Sequence, residues 1–326
     1  MKIAIFSGNE KWILRGLAID IQEAFVKSGI EAKHYELDLA NPGIDPPEAD
    51  WYFFVQQGQL NSILKAWGYK KDLVKKSICI FTHFDFKNCK FELLNSIHLV
   101  SHMSSHQMAI AIGNGLSRNN SSLLPLGVDP ERHYPVKQNY LDTELAKKYP
   151  RIRERSKRSY VGFCTRLWNK DTYTKRKNYE CLFEIVNKLL QQNQKVLIVG
   201  DGWEKHASNK HKNLVIVDPP YKDYILFYNL MKAFVSVTSY DGGPIPLLES
   251  MACGVPPVIT NSGFAPDVIK NKEYGLTFQP FAESSEVLRL IKETIDSEHS
   301  RETLRKRAIE FSFESYVKKL LKHLAL

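Results

Sequence analysis

Along the whole chain, short runs rich in β-branched and aromatic residues alternate with segments of helical period, and that alternation admits few folds. Joining one strand to a parallel neighbour takes a crossover, so repeated strand-helix units build a parallel sheet covered by helices on both faces. In the first half the strand candidates are residues 2–6, 31–37, 51–56, 77–82, 97–101 and 121–126. Between the first two, Ile13, Leu14, Leu17, Ile21, Ala24 and Phe25 recur at i, i+3/i+4, and Gly29 closes the helix they predict. The second half repeats the scheme with strands over 160–165, 195–199, 214–217, 233–237 and 257–260.

The pattern predicts two Rossmann-like, doubly wound α/β domains, 1–128 and 129–311, joined within 125–135. A length of 326 residues suits two domains. From Arg301 onward, Phe313, Val317, Leu320, Leu321 and Leu324 fall at helical spacing with lysines opposite, so an amphipathic helix over 312–326 must pack on something. Two such domains place a cleft between the carboxyl ends of their sheets, where ligands of α/β proteins bind. No apolar run approaches the roughly 18 residues of a membrane span, and Ile3-Ala4-Ile5-Phe6 is too short for a secretory leader, so a cytoplasmic protein is expected. The five cysteines are scattered and contain no C-x-x-C pair, which predicts reduced, buried thiols.

The formal charge of +9 sits in one stretch. Residues 137–177 hold thirteen Lys or Arg against four Asp or Glu, so the rest of the chain is neutral. Within the stretch, Lys147-Lys148 and the run from Arg151 to Arg158 flank Pro150 and read as an exposed connector. The functional alternative for 147–158 is a landing surface for phosphates, such as a peripheral contact with anionic lipid at the inner membrane face. Nucleic acid is disfavoured, because the stretch lacks interleaved aromatics and any nucleic-acid motif.

Residues 233–278 are the most informative segment. A buried strand leads to Asp241-Gly242-Gly243-Pro244, then to a helix carrying Glu249 eight positions after Asp241, then to Ala252-Cys253-Gly254-Val255-Pro256-Pro257-Val258. This segment resembles the retaining nucleotide-sugar glycosyltransferases of the GT-B fold, family 4, with their acidic residue, Gly-rich turn, second Glu and A-x-G-x-P-V-V run. Other pieces follow in the family's order. The stretch from Leu126 to Glu131 resembles the N-G-V-D-x-x-x-F crossing, and Gly162 to Leu167 followed by Arg176-Lys177-Asn178 resembles the G-R-L…K-N element. Leu197 to Gly202 resembles the I-V-G-D-G loop, and Phe311-Ser312-Phe313 the F-S-W before the last helix. The match spans about residues 125–326; in 1–124 only the architecture and a His-bearing strand end, at His83, correspond.

The resemblance implies two domains facing across a cleft, with the last helix crossing back to the first. It also implies transfer of a sugar, with retention, from a nucleoside-diphosphate sugar to a glycan, lipid-linked or small-molecule acceptor (a hexosyltransferase-type enzyme of class EC 2.4). Arg166 and Lys177 would neutralise the phosphates, Asp241 would touch the donor sugar, Glu249 the ribose and Tyr221 the base. Gly200 would lie in the donor loop, His83 near the sugar's C6 side, and Gly8 and Asn9 on the acceptor side. The chemistry suits these residue types. A departing diphosphate gains negative charge, so its site needs fixed cations and oriented amides. The Gly242-Gly243 turn brings bare amides close, and the helix opening at Pro244 and Ile245 adds its positive end.

No D-x-D occurs; Asp129-Pro-Glu131 and Asp142-Thr-Glu144 are near variants explained by the crossing and by a polar helix, so no metal and no other cofactor is expected. His98, His102 and His106 would align as a zinc set on a helix, but residues 97–101 read as strand. In the family the acceptor hydroxyl gives its proton to the leaving phosphate, so no side-chain base is named. Three departures stand out. Asp241 replaces a Glu, Arg166 and Lys177 lie eleven positions apart with Lys170 between them as a rival, and Gly8 is a single glycine. Two other functions compete: a non-catalytic nucleotide-sugar binder that has lost its acceptor site, and a transferase acting on nucleic acid.

Overall fold

The computed structural model describes residues 1–8, 13–38, 43, 45–82, 89–167, 175–203 and 211–324. The chain divides into two compact units, Met1–Gly127 with Phe311–Leu326, and Val128–Glu310. Each is built on a six-stranded sheet in which every pairing is parallel.

In the first unit the strands are β1 (Lys2–Gly8), β2 (Glu31–Leu37), β3 (Trp51–Phe54), β4 (Ser77–Phe81), β5 (Leu99–His102) and β6 (Ser121–Leu123), in the order β2-β1-β3-β4-β5-β6. The central strands β1 and β4 are buried almost throughout and are apolar runs, as a sheet covered on both faces requires. The helix Ile13–Lys27 ends at Gly29, whose φ of +76° lets the Ile30 amide turn back to the Phe25 carbonyl. The last helix, Phe313–Leu324, belongs to this unit. It buries Tyr316, Val317, Leu320 and Leu324, and its Tyr316 hydroxyl lies 3.1 Å from Ser101 Oγ. Gly127 makes the return of the chain possible, because a Cβ there would lie 2.3 Å from the Phe311 carbonyl oxygen.

In the second unit β7 (Tyr160–Cys164), β8 (Lys195–Val199), β9 (Leu214–Val217), β10 (Met231–Ser236), β11 (Pro257–Thr260) and β12 (Leu276–Phe278) lie in the order β12-β11-β10-β7-β8-β9. The direction of winding reverses between β7 and β10. Ligands of doubly wound sheets bind beyond the carboxyl ends of such a strand pair.

The structure corrects several sequence expectations. The strands expected over 51–56 and 121–126 stop at Phe54 and Leu123. Gln56 already stands at the N-cap position of the next helix, and Pro125 has no amide to donate to a ladder. β12 has three residues, too few for an alternation to show. All five cysteines are free, but only Cys79 and Cys253 are buried; Cys89, Cys164 and Cys181 are half-buried. His98 precedes β5, His102 ends it and His106 lies in the following helix, so the three share no helical face. His102 is fully buried with neither ring nitrogen partnered, and burial lowers its pKa to about 4.

The basic stretch opens with the helix Gln138–Lys148, and the segment after it is tied into its own unit: Ile152 is buried, and Glu154 meets Lys195 Nζ at 2.5 Å. The Lys195 ammonium and Ser156 hold the Glu154 carboxyl down at about 2. Among the described residues no helix is long and apolar enough to cross a membrane.

Candidate functional site

Three loops leave the sheet of the second unit beside the switch point: 165–167 after β7, 200–203 after β8 and 237–244 after β10. The first two are locked together. Thr165 donates its amide to the Val199 carbonyl at 3.0 Å and Leu167 to the Asp201 carbonyl at 2.8 Å. The Trp203 indole donates to the Thr165 carbonyl at 2.7 Å, and the Tyr179 hydroxyl to the Arg166 carbonyl. This bracket leaves the Arg166 side chain 49% exposed, with Nε 3.3 Å from Asp201 Oδ2. An exposed pair of this kind adds little stability, so exchanging Asp201 for a phosphate costs the guanidinium little.

Glycine is required at the bracket. Gly200 has φ +143°, and a Cβ there would stand 2.3 Å from the Thr165 carbonyl oxygen. We expect Gly200→Ala to combine backbone strain with a clash against fixed main chain and to cost at least about 2 kcal/mol. Urea unfolding of the purified variant checks this; an unchanged midpoint contradicts it.

At the end of β10, Asp241 is 24% exposed and its Oδ2 lies 3.2 Å from Lys177 Nζ. Burial acts to raise the Asp241 pKa, but the charges of Lys177 and Arg176, the Lys177 hydrogen bond and the Gly243 amide outweigh it. The carboxyl therefore titrates below its ordinary value and stays charged. The Gly243 amide reaches Asp241 Oδ1 at 3.4 Å. The Ser239 amide donates to the Arg176 carbonyl at 2.9 Å, tying the lysine's segment to the turn, while the buried Ser239 hydroxyl meets no partner. The turn is also packed from behind: a Cβ on Gly263 would lie 2.7 Å from the Asp241 carbonyl oxygen.

The helix Ile245–Ala252 starts beyond this turn, with Pro246 in its first turn where no intrahelical donor is needed. The Ile245 amide is donated to the Gly243 carbonyl and that of Leu247 to Pro244, both at 2.9 Å. Pro244 and Pro246 have no amide to give. The helix end thus offers its dipole, and the Gly242-Gly243 turn is the amide source.

One turn on, Glu249 is 1% exposed. Its Oε2 accepts from the Tyr228 hydroxyl at 2.5 Å and its Oε1 from the Tyr221 hydroxyl, while His133 Nε2 lies 3.9 Å from Oε1. Two donated hydrogen bonds and a nearby imidazole are what a buried carboxyl group needs. Burial, with the neighbouring Glu249 and Cys164, pushes the Tyr228 hydroxyl far up, so it remains a donor. Arg305 fixes the crossing segment against this helix. Its guanidinium donates to the carbonyls of Pro130 (2.9 Å), His133 (2.7 Å) and Ala252 (2.9 Å).

The structure thus brings Lys177, Asp241 and Gly243 together, groups Glu249 with Tyr221, and sets Gly200 against the backbone beside Arg166. Gly8 ends β1 in the first unit, where its amide is accepted by the Gln59 side-chain oxygen at 3.1 Å in the orientation that satisfies both groups of that amide. His83, Asn9 and Lys170 lie outside the described residues. Sequence reasoning missed His133, Tyr228 and Arg305. His133 had a signal, since it occupies the aromatic position at the end of the N-G-V-D-x-x-x-F stretch. Tyr228 and Arg305 had none.

Chemically, the second unit offers two cations, a glycine turn, an ionised carboxylate and a recessed glutamate around one strand-order reversal. That set is suited to a polyphosphate bearing polyhydroxylated groups.

Residues 167–311 match the family model of glycosyl transferases group 1. No curated protein matches the chain in sequence. Among solved structures, a glycosyltransferase from Rickettsia africae has a TM-score of 0.76 at 15% identity, over 98% of this chain and 97% of its own. Sucrose-phosphate synthase from Thermosynechococcus elongatus has a TM-score of 0.74 at 13% identity, over 99% of this chain and 98% of its own. Anabaena HepE, solved in complex with UDP, has a TM-score of 0.71 at 14% identity, over 99% of both chains. The fold is that of the GT-B glycosyltransferases, and residues 167–311 of the second unit carry the likeness to glycosyl transferases group 1.

Proposed function

We propose that this enzyme transfers a sugar, with retention and without a metal ion, from a nucleoside-diphosphate sugar to a glycan, lipid-linked or small-molecule acceptor. The second unit takes the donor and the first the acceptor. The observation that carries the reading is the Lys177–Asp241 pair at 3.2 Å, held beside the Gly242-Gly243 turn at the reversal of strand order. Lys177, Arg166 and the glycine amides receive the phosphates. As the bond to the anomeric carbon lengthens, negative charge grows on the leaving diphosphate, and fixed cations stabilise it more than they stabilise the bound donor. Asp241, kept ionised, accepts from hydroxyls of the sugar, and Glu249 accepts from the ribose.

The acceptor hydroxyl must lose a proton, and the leaving phosphate is the base this reading assigns. Arg and Lys at the phosphates support a metal-free reaction. UDP is the first nucleotide to try, because HepE was solved with UDP and with UDP-glucose.

A thermal-shift panel of UDP, GDP, ADP and their sugars, run in EDTA, tests this. A ligand at a hundredfold its dissociation constant adds about 2.7 kcal/mol to stability, a shift of several degrees. One nucleotide family is expected to raise the melting temperature with chelator present, and the matching sugar donor to be hydrolysed slowly. No shift with any of them contradicts the donor site; activity abolished by EDTA contradicts the metal-free part.

A further inference from the structure

We propose that the Tyr221 hydroxyl is a placeholder for the ribose of the nucleotide. It engages Glu249 before the donor binds and gives up that position when the ribose hydroxyls arrive, so Tyr221 sets how strongly the site selects for a ribose diol. The inference rests on the donor-site reading above and adds to it a residue that competes with the ligand.

The argument starts from Glu249, a residue 1% exposed. A carboxylate so enclosed requires donors at both oxygens, and it has about four acceptor positions to fill. Tyr228 serves Oε2 and Tyr221 serves Oε1, with His133 Nε2 3.9 Å from Oε1. Because Glu249 is enclosed to this degree, an incoming diol reaches it only where one of these three neighbours moves aside.

Two of them are fixed. Tyr228 is fully buried within the helix Tyr224–Leu230, and its hydroxyl also interacts with Cys164. His133 is 3% exposed, and its carbonyl is held by Arg305 at 2.7 Å. Beyond it, the Asn229 side chain donates to the Tyr134 carbonyl at 3.0 Å and accepts from the Val136 amide at 2.9 Å.

Tyr221 is different. It is 50% exposed and stands on a single 3₁₀ turn, Tyr221–Asp223, directly after Pro220. Its ring lies 5.8 Å from that of His133 and 5.5 Å from that of Tyr224, contacts that a phenyl ring keeps without the hydroxyl. Of the three described neighbours of Glu249, Tyr221 is thus the one placed to move aside toward solvent. Its hydroxyl is chemically the same group, an O–H donor, as those a ribose presents.

The test is isothermal titration of the full chain in EDTA with UDP, GDP and ADP, followed by the 2′,3′-dideoxy form of whichever binds. Wild type, Tyr221→Phe and Glu249→Ala are compared. Because the ribose no longer has to displace a hydrogen bond to a carboxylate, Tyr221→Phe is expected to bind the ribonucleotide about tenfold more tightly. It should bind the dideoxy form with wild-type affinity. If Tyr221→Phe binds the ribonucleotide no more tightly, or gains equally for the dideoxy form, the placeholder is overturned. When that happens while Glu249→Ala still weakens ribonucleotide binding, the donor site stands and only the placeholder falls. If no diphosphate binds wild type, the donor-site reading falls and takes the placeholder with it.

Discussion

Glu249→Ala is expected to remove almost all of the nucleotide-dependent rise in melting temperature. Two ribose hydroxyls donating to one carboxylate make two charge-assisted hydrogen bonds, each contributing about 1.5–3 kcal/mol. Losing both weakens binding at least about a hundredfold. At a nucleotide concentration that gave wild type about 2.7 kcal/mol, the variant then retains about 0.4 kcal/mol, below ready detection. The variant's own baseline should fall as well, because the Tyr228 hydroxyl, 2.5 Å from Glu249 Oε2, loses its acceptor in a buried position. Glu249→Gln separates the two effects: it preserves volume and an acceptor for Tyr228, so it should restore most of the baseline but little of the nucleotide shift. A full shift in Glu249→Ala would remove the ribose contact from the account.

Arg166→Ala and Lys177→Ala are expected to lower kcat by about 10²–10³-fold while weakening donor binding less than about tenfold. The asymmetry follows from charge development. Both cations meet a diphosphate already charged in the bound donor, and each meets more charge in the transition state, so truncation removes the increment. The two variants should differ in one respect. Arg166 is half exposed and its partner Asp201 is exposed too, so its loss leaves the apo protein's stability nearly unchanged. Lys177 is the largest influence holding the Asp241 carboxyl below its ordinary pKa against burial. Lys177→Ala should therefore also disturb sugar contacts and raise KM for the sugar donor more than for the free nucleotide as inhibitor. Equal losses in kcat and binding for both variants would make them ground-state binders.

How much of this was legible in the sequence depends on the range of the interactions. The two parallel sheets were visible because a central strand such as 77–81 is a continuous apolar run and the crossover helices have a 3.6 period, both local properties. Strand ends were less visible, since Phe54 and Leu123 end their strands where capping and a proline take over. The glycine turn, Asp241 and Glu249 form one continuous segment, so the family resemblance could be read from that stretch. The partners of Glu249 are a different matter. Tyr221, Tyr228 and His133 come from three separate stretches, and only the tertiary fold brings them to one carboxyl group. Arg305, fifty-six positions after Glu249, is a surface-type residue in sequence, yet its three carbonyl contacts place His133.

The account depends most on where a nucleoside diphosphate sits. The direct measurement is a crystal structure of the full chain with the nucleotide that gives the largest thermal shift, grown in EDTA. The expected density places the diphosphate within hydrogen-bond reach of the Gly242 and Gly243 amides with Lys177 and Arg166 turned onto it, and the ribose hydroxyls on Glu249. A nucleotide bound away from the β7–β10 strand ends, or one whose ribose leaves Glu249 on its two tyrosines, contradicts it.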